Sequence, residues 1–198
     1  MSLNAATTTT RLADTRVPII AELAKRWSPR SFDPEATITE DQLDALLEAA
    51  RWAPSASNNQ PRRFIVARRG TSPFDTIVSA LVGFNAAWAH NSSALIVGIA
   101  ETSTVEGEVR PYAEYDLGQA VAHLSVQAEA EGLVTHQMAG VQWDTLIAAF
   151  GLTENLKPMT ITAVGTIDTA DKLPEALAER ETAPRTRLAL EEIVLLRS

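Results

Sequence analysis

The sequence has no cysteine, which excludes disulfides, zinc–thiolate sites, iron–sulfur clusters and thiol nucleophiles at once. It has three histidines, His90, His123 and His136, and none stands in an H-x-H or H-E-x-x-H arrangement. They read as packed or surface residues, not as metal ligands. The nine glycines never form a G-x-G pair, so neither a dinucleotide fingerprint nor a phosphate-cradling P-loop can be written. There is no G-x-S-x-G nucleophile elbow. No apolar run approaches the ~18 residues of a membrane span, and MSLNAATTTTRLADTR has no hydrophobic h-region of a signal peptide. A cytoplasmic protein is the expectation. Basic charge is also scarce: 17 Lys+Arg stand against 25 Asp+Glu, a net charge of −8 that argues against a broad nucleic-acid-binding face.

What remains is an ordinary globular composition, 45% apolar and 21% charged over 198 residues, enough for one domain with a real core. Residues 1–16, with the Thr7–Thr10 tract, read as a disordered lead-in, and residues 17–198 as one domain.

Helical and strand patterns alternate along that domain. Helices are expected over Val17–Arg26, from the Thr39 cap to the breaker Pro54, over Pro73–Leu81, Asn85–His90, Pro111–Gly132, Trp143–Phe150 and Leu173–Arg180. Thr39 with Gln42 three residues on spells a capping box, and Leu43, Leu46, Leu47 and Ala50 form the apolar stripe behind it. The longest helix carries a stripe of Leu117, Ala120, Val121, Leu124 and Ala128. Strands are expected over Arg63–Arg68, Ala94–Ala100, Leu133–Met138 and Met159–Ile167, with a last β-rich segment at Ile193–Leu196. ALIVGIA is apolar throughout and so a buried central strand. Strands separated by helices imply a sheet covered by helices.

With no nucleophile, metal site or dinucleotide loop, a bound cofactor would have to carry any redox chemistry. Three segments could hold one. Lys25-Arg26-Trp27-Ser28-Pro29-Arg30-Ser31-Phe32 and Arg180-Glu181-Thr182-Ala183-Pro184-Arg185-Thr186-Arg187 each offer guanidiniums and hydroxyls, the pairing set of a phosphate dianion. The competing reading is surface ion pairing with acids such as Glu35 and Glu181, in a chain where arginine outnumbers lysine 14 to 3. The third, APSASNNQPRRFIV, carries amides that both donate and accept, as the edge of a heteroaromatic ring requires, though it also fits an ordinary turn.

Taken in order, RWSPRSF, APSASNNQPRRF, Asn85 with Trp88 ahead of ALIVGIA, DLGQAVAHLSVQAEAEGL, HQMAG and the closing LPEALAERETAPRTRL resemble the nitroreductase family of FMN-dependent oxidoreductases, from about Val17 to the C-terminus. The resemblance implies an α+β fold with a central mixed sheet flanked by helices. It also implies an intertwined homodimer whose C-terminal strand crosses to the partner. The long helix would fit the dimer core through Ala120, Leu124 and Ala128, or would bury that stripe inside its own subunit.

By the same resemblance, Arg26, Ser28, Arg185 and Arg187, with Trp27 in the same loop, would hold the FMN phosphate. Arg30 would reach the N1/O2 side of the isoalloxazine as an electrostatic stabiliser, or merely order its loop by a salt bridge. Pro54, Ser55, Ala56, Ser57 and Asn58 would come from the partner subunit and line the flavin, Asn85 would meet its pyrimidine edge, and the Gln137-Met138-Ala139-Gly140 turn would lie near N5. No metal is implied. NADH or NADPH would deliver hydride, and a nitroaromatic, quinone or activated enal would take the reducing equivalents by turn in the same pocket. A flavin store or sensor, and a flavin-fragmenting or dehalogenating relative, are the rival readings. Two departures stand out: Trp88 and Ala139 occupy positions where some members carry Lys and Glu, and Arg62 and Arg63 follow Gln60-Pro61 where a Trp is frequent.

Overall fold

Thr39 opens the first long helix as the sequence predicts. Its side chain accepts from the Gln42 backbone N–H at 3.1 Å, and Gln42 Oε1 accepts from the Thr39 N–H at 3.1 Å. This comes from a computed structural model that describes residues 11–198. The first ten residues of the expected lead-in, with its threonine tract, lie outside the described residues.

The helices are α1 (Ala21–Lys25), α2 (Glu40–Arg51), α3 (Ser72–Ser79), α4 (Ala113–Ala130), α5 (Trp143–Phe150), α6 (Glu175–Thr182) and α7 (Leu190–Ile193). The strands are β1 (Arg62–Arg68), β2 (Ala94–Glu101), β3 (Val134–Met138) and β4 (Leu156–Gly165). They form one sheet in the order β1-β2-β4-β3. The α+β class holds. The sheet expected as mixed is antiparallel at every described pairing. As expected, the ALIVGIA strand is central and almost wholly buried. One core packs Leu95, Val97, Ile99 and Ile161 against Trp88, Phe74 and Leu146 on one side. Another packs Ile96 and Val164 against α2 and α4 on the other.

Three elements differ from expectation. The first helix begins only at Ala21, because Ile20 is extended at φ −60°, ψ 149° and residues 18–20 are irregular. The Asn85–His90 stretch forms two 3₁₀ turns, Gly83–Ala87 and Ala89–Asn91. The β-rich Ile193–Leu196 segment is the end of α7 followed by irregular chain, with Leu195 97% exposed, since the described sheet offers it no pairing. Gly151 stops α5 in the left-handed region at φ 61°, as its position in the sequence predicts.

The stripe Leu117, Ala120, Leu124 and Ala128 of α4 is buried inside the protomer, partly against α2. Those residues therefore cannot form a dimer seam. The outward face of α4 carries Tyr115, Gly118 and Ala122, and a Cβ added at Gly118 would meet nothing within 4 Å.

Candidate functional site

The two arginine segments meet. Arg185 donates from Nη1 to the carbonyls of Ala24, at 2.9 Å, and Arg11, and from Nη2 to the carbonyl of Arg26 at 2.9 Å. The guanidiniums crowd one another: burial first, then the charge of Arg187, lowers the pKa of Arg26. Burial, then Arg26, Arg187 and Arg11, lowers that of Arg185. The carboxylate opposing them is Glu129, near the end of α4, whose own pKa is raised by burial against the pull of Lys25, Arg26 and Arg185. Arg26, Arg185, Arg187 and Arg11 outnumber the carboxylates beside them, Glu129 and Glu22, so the cluster is an under-compensated positive focus, and a dianion fits that donor set. Within it Arg185 is committed to main-chain carbonyls, whereas Arg187 is exposed and donates only to the carbonyl of Thr186, at 2.7 Å.

The rest of RWSPRSF is pinned beside this cluster. Phe32 bridges Ile167, Asp33 N–H donates to Thr166 O, and Asp168 N–H donates to Ser31 O, tying the loop to the exit of β4. Glu181, 4% exposed, accepts the backbone N–H of Arg30 at 2.7 Å and of Ser31 at 3.1 Å, and its Oε2 lies 3.5 Å from Arg30 Nη1. The loop-ordering salt bridge weighed for Arg30 is therefore present. His136 on β3 meets the carbonyl of Pro29 at 2.9 Å through Nδ1, and its pKa is lowered to about 4, chiefly by burial, so the ring is neutral near pH 7. Trp88, 1% exposed, packs between Phe32 (ring centroids 5.8 Å apart) and His136 (4.7 Å). It is core, and its indole is not available to stack on a ligand.

Asn85 and the turn after β3 are also brought together. Asn85 Nδ2 lies 3.5 Å from Gly140 O, and a Cβ at Gly140 would come within 3.0 Å of that amide, so only glycine fits there without displacing Asn85. Within the turn, Ala139 is exposed, Met138 is buried in the core, and Gln137 donates to Ser125 Oγ at 2.7 Å.

The Pro54–Asn58 loop stands elsewhere. Ala56 N–H donates to Oδ2 of the buried Asp116, near the start of α4, at 3.1 Å. Asp116 also draws on Arg62, whose Nη2 donates to Arg51 O at 2.5 Å. Ser57, Asn58 and Gln60 all lie in the left-handed region, at φ 50°, 55° and 49°. Asp116 and Glu129 are thirteen residues apart on one helix, about 20 Å at the α-helical rise. A protomer thus holds its arginine cluster and its strained amide loop at opposite ends of α4.

Arg11, Glu181, Glu129, Asp116 and His136 were not among the sequence candidates. Each acts through contacts with residues remote in the chain; all but Arg11 lie within the segments that carry the family resemblance, and Glu181 was named there only as a surface pairing acid. Among the described residues, no group of three or more acidic or histidine side chains could hold a metal ion, and no helix is long and apolar enough to cross a membrane.

The model of the nitroreductase family matches residues 23–75, which include RWSPRSF and the amide loop. A 15.4 kDa protein of unassigned function from Mycolicibacterium smegmatis is 38% identical over 139 residues, 66% of this chain and 92% of that protein. The major NAD(P)H-flavin oxidoreductase of Aliivibrio fischeri is 41% identical over 49 residues, 25% of this chain and 22% of that one. Among solved structures, an oxidoreductase containing FMN superposes with a TM-score of 0.86 at 32% identity, covering 91% of this chain and 92% of its own. The family match and the likeness to an FMN-containing oxidoreductase place this α+β protein in the flavin-dependent oxidoreductase class. The chain belongs to the nitroreductase family.

Proposed function

We propose that the protein is an FMN-dependent oxidoreductase that takes hydride from NADH or NADPH and reduces a small organic acceptor, such as a nitroaromatic, a quinone or an activated enal. The observation that carries this reading is the meeting of Arg26, Arg185 and Arg187 from opposite ends of the chain, with Arg185 bonded to the Arg26 carbonyl. That donor set suits a phosphate monoester dianion. When bound, FMN supplies the hydride and electron chemistry that no side chain here provides.

The chain's own part is binding and electrostatics. Arg26 and Arg187 would hold the phosphate, with Ser28 and Trp27 in the same loop, and Arg185 would keep the loop in register. Arg30, steadied by Glu181, would set a cation beside the pyrimidine end of the ring, where negative charge accumulates on reduction. Asn85 and the backbone of Gln137, Met138, Ala139 and Gly140 would border the ring.

The same reading makes the protein a homodimer. One protomer's Pro54–Asn58 loop is too far along α4 to reach its own arginine cluster, so a second copy would lend it. The free side of β1, the groove of about 1100 Å³ beside Phe64, Ile65 and Val105, and the exposed Val194–Leu196 tail support an exchanged C-terminal arm.

The test is a visible spectrum of the purified protein followed by anaerobic addition of NADH or NADPH. A yellow protein that bleaches, and recovers its colour with a quinone or nitroaromatic, is expected. Yellow without bleaching would turn the reading toward flavin storage or a different donor. A protein that takes up no FMN would overturn it.

A further inference from the structure

The segment before α1 is stitched into the arginine cluster. Arg11 donates through Nη1 to the carbonyl of Glu181 and through Nη2 to that of Ala183. Its guanidinium lies over the Trp27 ring, 4.1 Å from the centroid. Its own carbonyl accepts from Arg185, and two residues on, Ala13 N–H donates to Ala24 O at 2.8 Å. Arg11 therefore ties the RWSPRSF loop to the C-terminal arginine segment, and Ala13 ties the same stretch to the end of α1. The charge of Arg11 also reaches Arg185, where it helps lower that residue's pKa.

We propose that Arg11 is a positioning residue for the phosphate-binding arginines, and that through them it makes the protein select phosphorylated over unphosphorylated flavin. The proposal rests on the reading of the arginine cluster as the FMN phosphate site. Arg11 commits a donor from each terminal nitrogen to main-chain carbonyls of the C-terminal segment, so its part is to position its neighbours. Arg26, Arg185 and Arg187 repel one another, and a loop bearing like charges swings apart unless it is tied down. Arg11 and Arg185 supply those ties reciprocally: each guanidinium holds main-chain carbonyls of the segment that carries the other. A site held ready in this way loses less conformational freedom when the dianion arrives. The benefit falls mainly on the phosphate, because Arg11 bonds directly to the C-terminal arginine segment and reaches Arg30 only through Glu181, whose main-chain carbonyl it holds.

The experiment is a titration of the full-length protein, stripped of flavin, with FMN and separately with riboflavin, followed by quenching of flavin fluorescence. Wild type is expected to prefer FMN. Arg11→Ala is expected to weaken FMN about tenfold or more while riboflavin stays within about twofold, and Arg11→Lys to recover part of the loss. Equal weakening of both flavins, or unchanged FMN affinity, would overturn the proposal. If Arg11→Ala does not fold, Arg11→Met, which keeps an apolar stem over Trp27, is judged by the same criteria. A wild type that binds FMN no better than riboflavin would fail the underlying phosphate reading itself, a result distinct from a wild type that discriminates and an Arg11→Ala that still does.

Discussion

Arg185 gives its Nη2 to the carbonyl of Arg26 at 2.9 Å, although the two residues are 159 apart in the chain. That bond closes the arginine cluster, and it separates the roles of two arginines that look alike in sequence, Arg185 and Arg187.

Arg185→Ala removes three guanidinium–carbonyl bonds and is expected to cost about 2–4 kcal/mol of stability along with FMN binding. Arg187→Ala, at an exposed position, is expected to change stability by less than about 0.5 kcal/mol while still weakening FMN by about tenfold. Urea unfolding of the flavin-free proteins, paired with FMN titration, separates the two. Equal stability losses would mean that the main-chain bonds of Arg185 carry no weight.

His136 makes stability depend on pH. Its folded pKa of about 4 lies below the unfolded value of about 6.5, so the unfolded chain takes up a proton first as pH falls. The stabilisation is whole above pH ~6.5 and is lost as pH falls toward ~4, to the extent of about 3 kcal/mol. His136→Gln has no such titration. The gap in urea midpoint between wild type and this variant should narrow across that window, and a constant gap would show that His136 is not held neutral by the fold.

A lysine in place of Trp88, which the family resemblance suggests as an alternative, is not expected to give a charged site. The indole is 1% exposed between Phe32 and His136. Trp88→Lys would bury an ammonium and empty the stack, at a cost of at least about 3–5 kcal/mol. The expected result is loss of the folding transition in a thermal melt. A well-folded Trp88→Lys protein would show that this pocket opens to solvent.

Asp116→Ala leaves the Ala56 N–H without its acceptor and Arg62 without its nearest counter-charge, and is expected to cost about 2–4 kcal/mol. It should also free the left-handed Ser57–Gln60 turn, seen as faster amide exchange of residues 56–60 than of α2. Unchanged exchange there would mean that the turn holds its own shape.

The capping box at Thr39 and the Gly151 stop were legible because their partners lie within a few residues. The ALIVGIA strand and the α4 stripe were legible because burial imposes a pattern on a single element. The face to which that stripe packs was not legible, since a buried helix face looks the same whether its own sheet or another copy covers it. The arginine pairs could be named from their segments. Glu181 could be named as a pairing acid, but its partner Arg30, 151 residues away, could not, and Arg11 could not be named at all, because these bonds leave no local spacing.

Among the described residues, strand β1 pairs with β2 on one side only, and its apolar run Phe64–Ala67 is bracketed by Arg63 and Arg68, which pair with Glu101 and Glu40. Two such strands meeting edge to edge would set guanidinium against guanidinium in either orientation. A newly made chain is thereby guarded against fibril-like stacking while that flank is still bare.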